Sequence, residues 1–242
     1  MTTRAGRAHI NPGNPVSRDI TSRGHRHELL ALSAILGVLA QEDRERLSEQ
    51  CIERTFAKNQ VVYVAGDPGD SMLVLTSGEL KVCHFSADGG ELILASIMPG
   101  EPIGELGMLS YLPRSATVIA TRPSAGMMLP RVVVMQLIEE RPAVAVAMLQ
   151  YLADLTRKMN GLVADLVFLD VHQRVARFLV SNTQGASRSV KVTQTNLAST
   201  VGASRQRVNV CLQEFQRRGW VSLSSGIIRV VDRDALGLAV RD

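Results

Sequence analysis

The segment PAVAVAMLQYLADLTRKMNGLVADLVFLD, residues 142–170, decides how the rest of the chain is read. Met148, Leu152, Leu155, Met159, Leu162, Leu166 and Leu169 recur in it with steps that alternate four and three. That alternation is the a/d seam of a left-handed coiled coil. Pro142 suits a first helical turn, where a missing N–H is no loss, and Glu139 and Glu140 before it suit the positive end. Such a helix would run on the order of 40 Å, at ~1.5 Å per residue. Gly161 in its interior costs about 1 kcal/mol relative to alanine. Alone, the pattern fits equally an amphipathic helix packed on its own domain. The flanks decide: a β-rich pattern precedes it and a helix-turn-helix pattern follows, so the seam is read as the axis of a homodimer.

Upstream, residues 1–27 hold Gly, Pro, Asn, Ser and Arg without apolar periodicity, the composition of a disordered tail. Leu29, Leu32, Ile35 and Leu36 carry helical spacing, and a second helical run after Gly37 takes in Leu47 and Ile52. Then the period changes. Residues 61–64, 72–76, 79–85, 92–98 and 116–121 are short β-prone runs. Between them fall the turn signals Gly66-Asp67-Pro68-Gly69-Asp70, Ser77-Gly78, Asp88-Gly89-Gly90 and Pro99-Gly100. Turns at this spacing predict an antiparallel sandwich or roll. After Pro130 the pattern is helical again through Val134, Leu137 and Ile138, leading into the long helix.

One stretch interrupts the strand pattern with a short helical turn: Gly104-Glu105-Leu106-Gly107-Met108-Leu109, followed by Pro113-Arg114-Ser115-Ala116. Gly104 lets an oxygen approach the backbone, Arg114 offers a fixed fork to a phosphate, and Ser115 adds a hydroxyl donor. Glu105 repels a phosphate but can accept from a sugar hydroxyl. On residue chemistry alone the stretch is equally a structural turn in which Arg114 pairs with Glu105.

Downstream of the seam, residues 171–182 carry a helical face in Val175, Phe178 and Leu179, and Gly185-Ala186-Ser187-Arg188-Ser189 reads as a loop. Thr193 is a candidate N-cap for a helix beginning Gln194-Thr195-Asn196. Gly202 sits at a turn, and Ser204 can cap a second helix that turns Val208, Leu212 and Phe215 inward. Arg205, Gln206 and Asn209 lie on its exposed early part, with Arg207 and Arg217 at the rim. This is the layout of a recognition helix whose first residues reach base edges in the major groove. Residues 220–223 and 227–231, around Ser224-Ser225-Gly226, predict a two-stranded wing.

Charge supports this division. The net charge of +4 is the sum of +7 over residues 172–242, −7 over residues 27–171 and +4 over residues 1–26. A basic C-terminal third implies that a polyanion meets that end. No apolar run reaches the roughly 18 residues that span a bilayer, and there is no secretory h-region, so a cytoplasmic protein without membrane contact is expected. Cys51, Cys83 and Cys211 are too few and too far apart for a disulfide framework or metal cluster. They are expected as small buried residues, a sensor thiol being the alternative. The histidines at 9, 25, 27, 84 and 172 form no ligand cluster, which weighs against a metal-dependent cupin enzyme, and most are expected at the surface.

The stretch from Gly104 to Ala116 resembles the phosphate-binding cassette of cyclic-nucleotide-binding domains. More broadly, residues 28–242 resemble the cyclic-AMP receptor protein and fumarate–nitrate reductase regulator (CRP/FNR) family of bacterial transcription factors. The shared features are the Gly66–Gly69 turn, Ser77-Gly78-Glu79, the cassette, the Phe168-Leu169-Asp170-Val171 hinge and the helix-turn-helix. The resemblance implies an α+β chain: a cyclic-nucleotide-binding β-roll (jelly roll) over 28–141, a dimerisation helix over 142–170 and a winged helix-turn-helix over 171–242. It implies no enzyme and no metal, but cyclic AMP as effector, a palindromic double-stranded DNA operator, and RNA polymerase as a further partner. By it Gly104, Glu105 and Leu106 belong to the ribose and phosphate contacts, Arg114 and Ser115 to the cyclic phosphate, and Thr193, Ser204, Arg205, Gln206, Arg207 and Asn209 to the DNA surface. Three positions depart from the family. Where cyclic-AMP receptors read adenine with a threonine and a serine, this chain has Met159 and Asn160. Gln206 replaces a usual glutamate and Val210 a basic residue, so the operator should differ. A regulator of the same fold that is constitutive or thiol-responsive is the competing expectation.

Overall fold

A computed structural model of the chain describes residues 26–183 and 188–240. The tail expected over 1–27 lies outside the described residues up to position 25, and its last two residues already belong to a helix. Two helices, α1 (Arg26–Ala31) and α2 (Gln41–Gln50), lead into eight strands. These are β1 (Ile52–Phe56), β2 (Val61–Tyr63), β3 (Ser71–Ser77), β4 (Leu80–Phe85), β5 (Glu91–Ile97), β6 (Pro102–Ile103), β7 (Thr117–Ala120) and β8 (Ser124–Pro130), with the short α3 (Glu105–Ser110) between β6 and β7. They form two antiparallel sheets of order β1-β8-β3-β6 and β2-β7-β4-β5, the expected roll.

Strand β3 is buried along its whole apolar run because both its faces are covered. Leu73 and Leu75 meet Phe56, Leu80 and Val118 between the sheets, whereas Met72 and Val74 meet Leu30, Val134 and Val144 from the helices and Leu36 from the turns after α1. Several elements differ from the sequence reading. Helix α1 ends at Ala31, so Leu32, Ile35 and Leu36, read as helical, fall in turns, and the two-residue β6 is too short to carry a pattern. Ile52, read as helical, opens β1 and pairs with Met128. Strand β8, unforeseen, lies between β1 and β3; its Gly126, Met127 and Met128 have little strand propensity, and pairing on both edges overrides it.

Helix α4 (Arg131–Glu140) breaks at Arg141, whose guanidinium donates to both oxygens of Asp43 on α2 at 2.7 and 2.8 Å. Then comes α5 (Pro142–Phe168), with Pro142 at its first turn as read. Two of the seven seam positions fall elsewhere. Met148 is 3% exposed within its own roll, packed with Val144 and Leu137. Leu169 is extended and outside the helix, because Asp170 caps the next one through a capping box with Gln173. Leu152, Leu155, Met159, Leu162 and Leu166 are half-buried, while Leu149, Val163 and Val167 stand exposed.

Beyond the hinge lie α6 (Val171–Ser181), β9 (Ser189–Lys191), α7 (Gln194–Val201), α8 (Arg205–Arg217), β10 (Val221–Ser224), β11 (Ile227–Val230) and α9 (Arg233–Ala239) around one core. The loop expected at 185–189 lies outside the described residues through 187, and Ser189 is already strand. The wing is accordingly three-stranded, in order β10-β11-β9, and α9 closes the core through Leu236. Sequence alone misses both, since three residues of strand and seven of helix carry too little periodicity.

Candidate anion cradle and nucleic-acid interface

The cradle forms where the turn between β2 and β3 meets α3 and the loop into β7. Backbone bonds from Gly66 N to Arg114 O (2.9 Å) and from Arg114 N to Asp67 O (2.8 Å) tie the two loops together. The Arg114 guanidinium is 6% exposed. It donates from Nη1 to Ser71 O (2.6 Å) and Gly104 O (2.9 Å) and from Nη2 to Ser71 Oγ (3.0 Å). The Tyr63 ring lies 3.8 Å from its central carbon, and Asp70 Oδ1 is 3.8 Å from Nη2. Three of the five N–H groups of a guanidinium are thus engaged, and buried Nε has no partner. The ion pair with Glu105 that the residues alone allowed is not formed.

Glu105 instead is 2% exposed, with Oε2 buried and unpartnered. Burial pushes its carboxyl pKa up, against backbone hydrogen bonds and the field of Arg114. Gly104 takes φ +90°, and a Cβ there would stand 2.5 Å from Arg114 Nη1 and 3.0 Å from Tyr63 Cε2. Only glycine lets the arginine settle. Leu106 and Ser115 lie exposed at the rim. Gly104, Glu105 and Arg114 are therefore brought together, with a spare donor and a spare acceptor. That chemistry suits an anion carrying a sugar hydroxyl.

Two residues that the sequence reading passed over connect this cradle to the long helix. Arg131, the first residue of α4, donates to Met108 O (2.8 Å), Gly107 O (3.2 Å) and Gly69 O, and lies 4.2 Å over the ring of Tyr111. It satisfies carbonyls that the end of α3 leaves bare. Tyr151 on α5 donates to Pro102 O (3.2 Å), two residues before Gly104. Burial and then the charges of Glu105 and Glu101 push its hydroxyl pKa up. Met159, half-buried, and Asn160, exposed, follow about two turns later on α5.

The C-terminal core presents the second surface. Thr193 Oγ1 accepts from Asn196 N (3.1 Å) to start α7, and Ser204 Oγ accepts from Arg207 N (3.3 Å) to start α8. Val208, Leu212 and Phe215 are buried. Arg205, Gln206, Arg207 and Asn209 are exposed, and Gln194 Nε2 holds Asn209 Oδ1 at 3.1 Å. Val210, absent from the residues singled out by polarity, is 62% exposed on the same face. His172, unlike a surface histidine, is half-buried edge-on to Phe215 at 4.4 Å, with Glu214 at 3.5 Å.

Gly202, at φ +62°, closes α7 in close contact: a Cβ there would be 2.9 Å from Leu166 Cδ2 and 3.5 Å from Leu92 Cδ1. The helix-turn-helix thus sits against the end of α5 and against β5. Ser199 Oγ on α7 donates to Glu91 Oε2 (3.3 Å), whose other oxygen pairs with Lys81. Across the hinge, Arg177 pairs with Asp165. Among the described residues no helix is long and apolar enough to cross a membrane, and no cluster of His, Cys, Asp and Glu could hold a metal.

Comparison with known proteins agrees with both surfaces. Residues 53–141 match the model of the cyclic nucleotide-binding domain, and residues 173–238 that of the Crp-like helix-turn-helix domain. A CRP-like cAMP-activated global transcriptional regulator of Mycobacterium tuberculosis is 30% identical, over 88% of this chain and 99% of its own. The cyclic AMP receptor protein of Thermus thermophilus is 28% identical, over 83% and 96%. The fold matches that of a c-di-GMP responsive global regulator of Xanthomonas campestris with a TM-score of 0.72 and 20% identity, over 79% of this chain and 99% of that one. With a nucleotide-type cradle, a long helix and a capped helix-turn-helix in one order, the chain belongs to the CRP/FNR family of DNA-binding transcription regulators.

Proposed function

We propose that this regulator works in the cytoplasm as a homodimer on a palindromic DNA operator, with cyclic AMP as its effector and RNA polymerase as a further partner. The observation that carries the effector is the pair of unspent buried groups in one cradle, Arg114 Nε and Glu105 Oε2. Arg114 and Ser115 would hold the cyclic phosphate, Gly104 would give it backbone access, and Glu105 would accept from the ribose. A bound cyclic nucleotide would supply a charge, a sugar edge and a base edge. The chain's own links carry the rest: Arg131 ties α3 to α4, Tyr151 ties β6 to α5, and α5 runs into the hinge. Movement of the cradle is therefore movement of the helix that aims α8. Equilibrium dialysis with cyclic AMP tests the reading: Arg114→Leu is expected to abolish binding and to lower the melting temperature, because Ser71 O and Gly104 O lose their donor, with circular dichroism at the assay temperature showing the variant still folded. Equal affinity in parent and variant would count against the cradle.

A nucleotide-independent regulator is the second reading, favoured by Met159. A thioether neither donates nor accepts well, so the base edge loses one hydrogen-bond partner. Met159→Thr is expected to strengthen cyclic-AMP binding by roughly 0.5–1.5 kcal/mol, the net worth of one hydrogen bond. No gain on titration would assign base reading to Asn160 or another group. A thiol trigger is poorly supported. Burial pushes the Cys83 thiol up to about 11 and raises that of Cys211, which disfavours the reactive thiolate at these two positions.

A further inference from the structure

The exposed face of α8 is not polar throughout. With Val208, Leu212 and Phe215 turned into the core, a turn of about 100° per residue sets Gln206, Val210, Gln213 and Arg217 opposite them. Val210 therefore stands on the midline of the face that meets DNA, one turn from a glutamine on either side. It is 62% exposed and belongs to no core cluster among the described residues. It borders a groove of about 450 Å³ whose far wall, at Asp170 and His172, leaves it uncovered. Exposed and β-branched on a helix, it costs the fold both solvation and helix propensity. Stability does not account for it.

We propose that Val210 is a specificity residue that reads the C5-methyl group of thymine. Base-pair edges in the major groove are arrays of donors and acceptors with one apolar feature, that methyl. A valine in a helix holds nearly one χ1 rotamer, so its two methyl groups are presented in place with little entropy left to lose. Cations at the rim supply affinity without sequence; an isopropyl group on the midline can contribute only where it finds apolar surface. Since the group recognised is a methyl on a pyrimidine C5, 5-methylcytosine at the same position should satisfy Val210 equally.

The inference rests on α8 lying in the major groove, which salt-dependent binding of the parent protein checks separately. The probe is a duplex selected by the full-length protein from a random pool, in the presence of cyclic AMP. Each thymine is replaced by uracil, symmetrically in both half-sites, and binding is followed by fluorescence anisotropy. One position per half-site should lose about three- to tenfold in affinity, the worth of burying one methyl. At that position Val210→Ala should bind the thymine and uracil duplexes alike, and Val210→Thr, which keeps one methyl, should fall between. Alanine on an exposed helical site favours the fold, so folding does not obscure the result. Placing cytosine there should weaken binding, and C5-methylation should restore it. With a parent that binds DNA, a half-site without a uracil-sensitive position, or a thymine preference that persists in Val210→Ala, overturns the proposal; a parent that fails to bind DNA overturns the reading beneath it and the proposal with it.

Discussion

Glu105, the proposed ribose acceptor, is placed at a cost to its own fold. Its carboxyl is buried beside an arginine already engaged by Ser71 and Gly104, and Oε2 finds no donor. Burial raises its pKa above the ordinary 4.5, so the folded chain holds this proton more tightly than the unfolded chain. Where the native state binds more protons, stability falls as pH rises, here upward from 4.5 through the folded value. Glu105→Gln keeps the shape and cannot ionise. It should raise the melting temperature at pH 7, flatten the loss of stability above pH 4.5, and weaken cyclic-AMP binding by about 1 kcal/mol as a charged acceptor becomes neutral. Melting curves at pH 5 and pH 8, with and without nucleotide, read both effects. A melting point that falls on substitution would mean that the carboxylate holds the fold together.

Along α5 the question is which stripe would meet a second copy in the proposed homodimer. Four-three spacing marks an apolar seam but not its owner. Met148 and Val144 are taken by the chain's own roll, whereas Leu149, Val163 and Val167 lie open, shouldered by half-buried Leu152, Met159 and Leu166. We place the dimer axis along this open stripe, rotated from the spacing-derived seam. Val163→Asp puts a charge where only a partner would desolvate it, so it should turn a dimer into a folded monomer in sedimentation. An unchanged dimer would move the axis elsewhere. Helix α8 poses the same question in reverse: its buried side follows from periodicity, and the 62% exposure of Val210 shows that no neighbour among the described residues covers it.

Across the whole molecule, the helix-turn-helix is held not only by the hinge. Gly202 packs on Leu166 and Leu92, and Ser199 bonds Glu91, which also pairs with Lys81. The reading head thus rests on β5 of the roll, and anything that shifts that sheet shifts α7. Ser199→Ala removes the contact and touches no exposed residue of α8. It should loosen α7 in hydrogen exchange and change the effect of cyclic AMP on operator affinity by about fivefold, near 1 kcal/mol for one partly buried bond. The salt dependence of binding should stay as in the parent, since no phosphate contact is altered. Unaltered exchange and an unaltered cyclic-AMP effect would remove the Ser199–Glu91 bond from the coupling and leave it to the hinge and the Gly202 packing.

Local order made much of this chain readable from its residues. Apolar period, turn glycines, the caps Thr193 and Ser204, and the charge split lie within a few positions of one another, so the roll, the long helix and the reading helix could be placed before any coordinates. The cassette was equally plain as a motif, although its residues alone could not choose between an anion site and an Arg114–Glu105 pair. Tertiary structure decided what depends on partners far along the chain. Strand β8 exists because β1 and β3 flank it, Met148 is core because the roll closes over it, and Arg131 and Tyr151 matter for what they reach. Periodicity reports how a segment divides its faces; only packing assigns each face to a neighbour, because burial is a property of the pair and not of the residue.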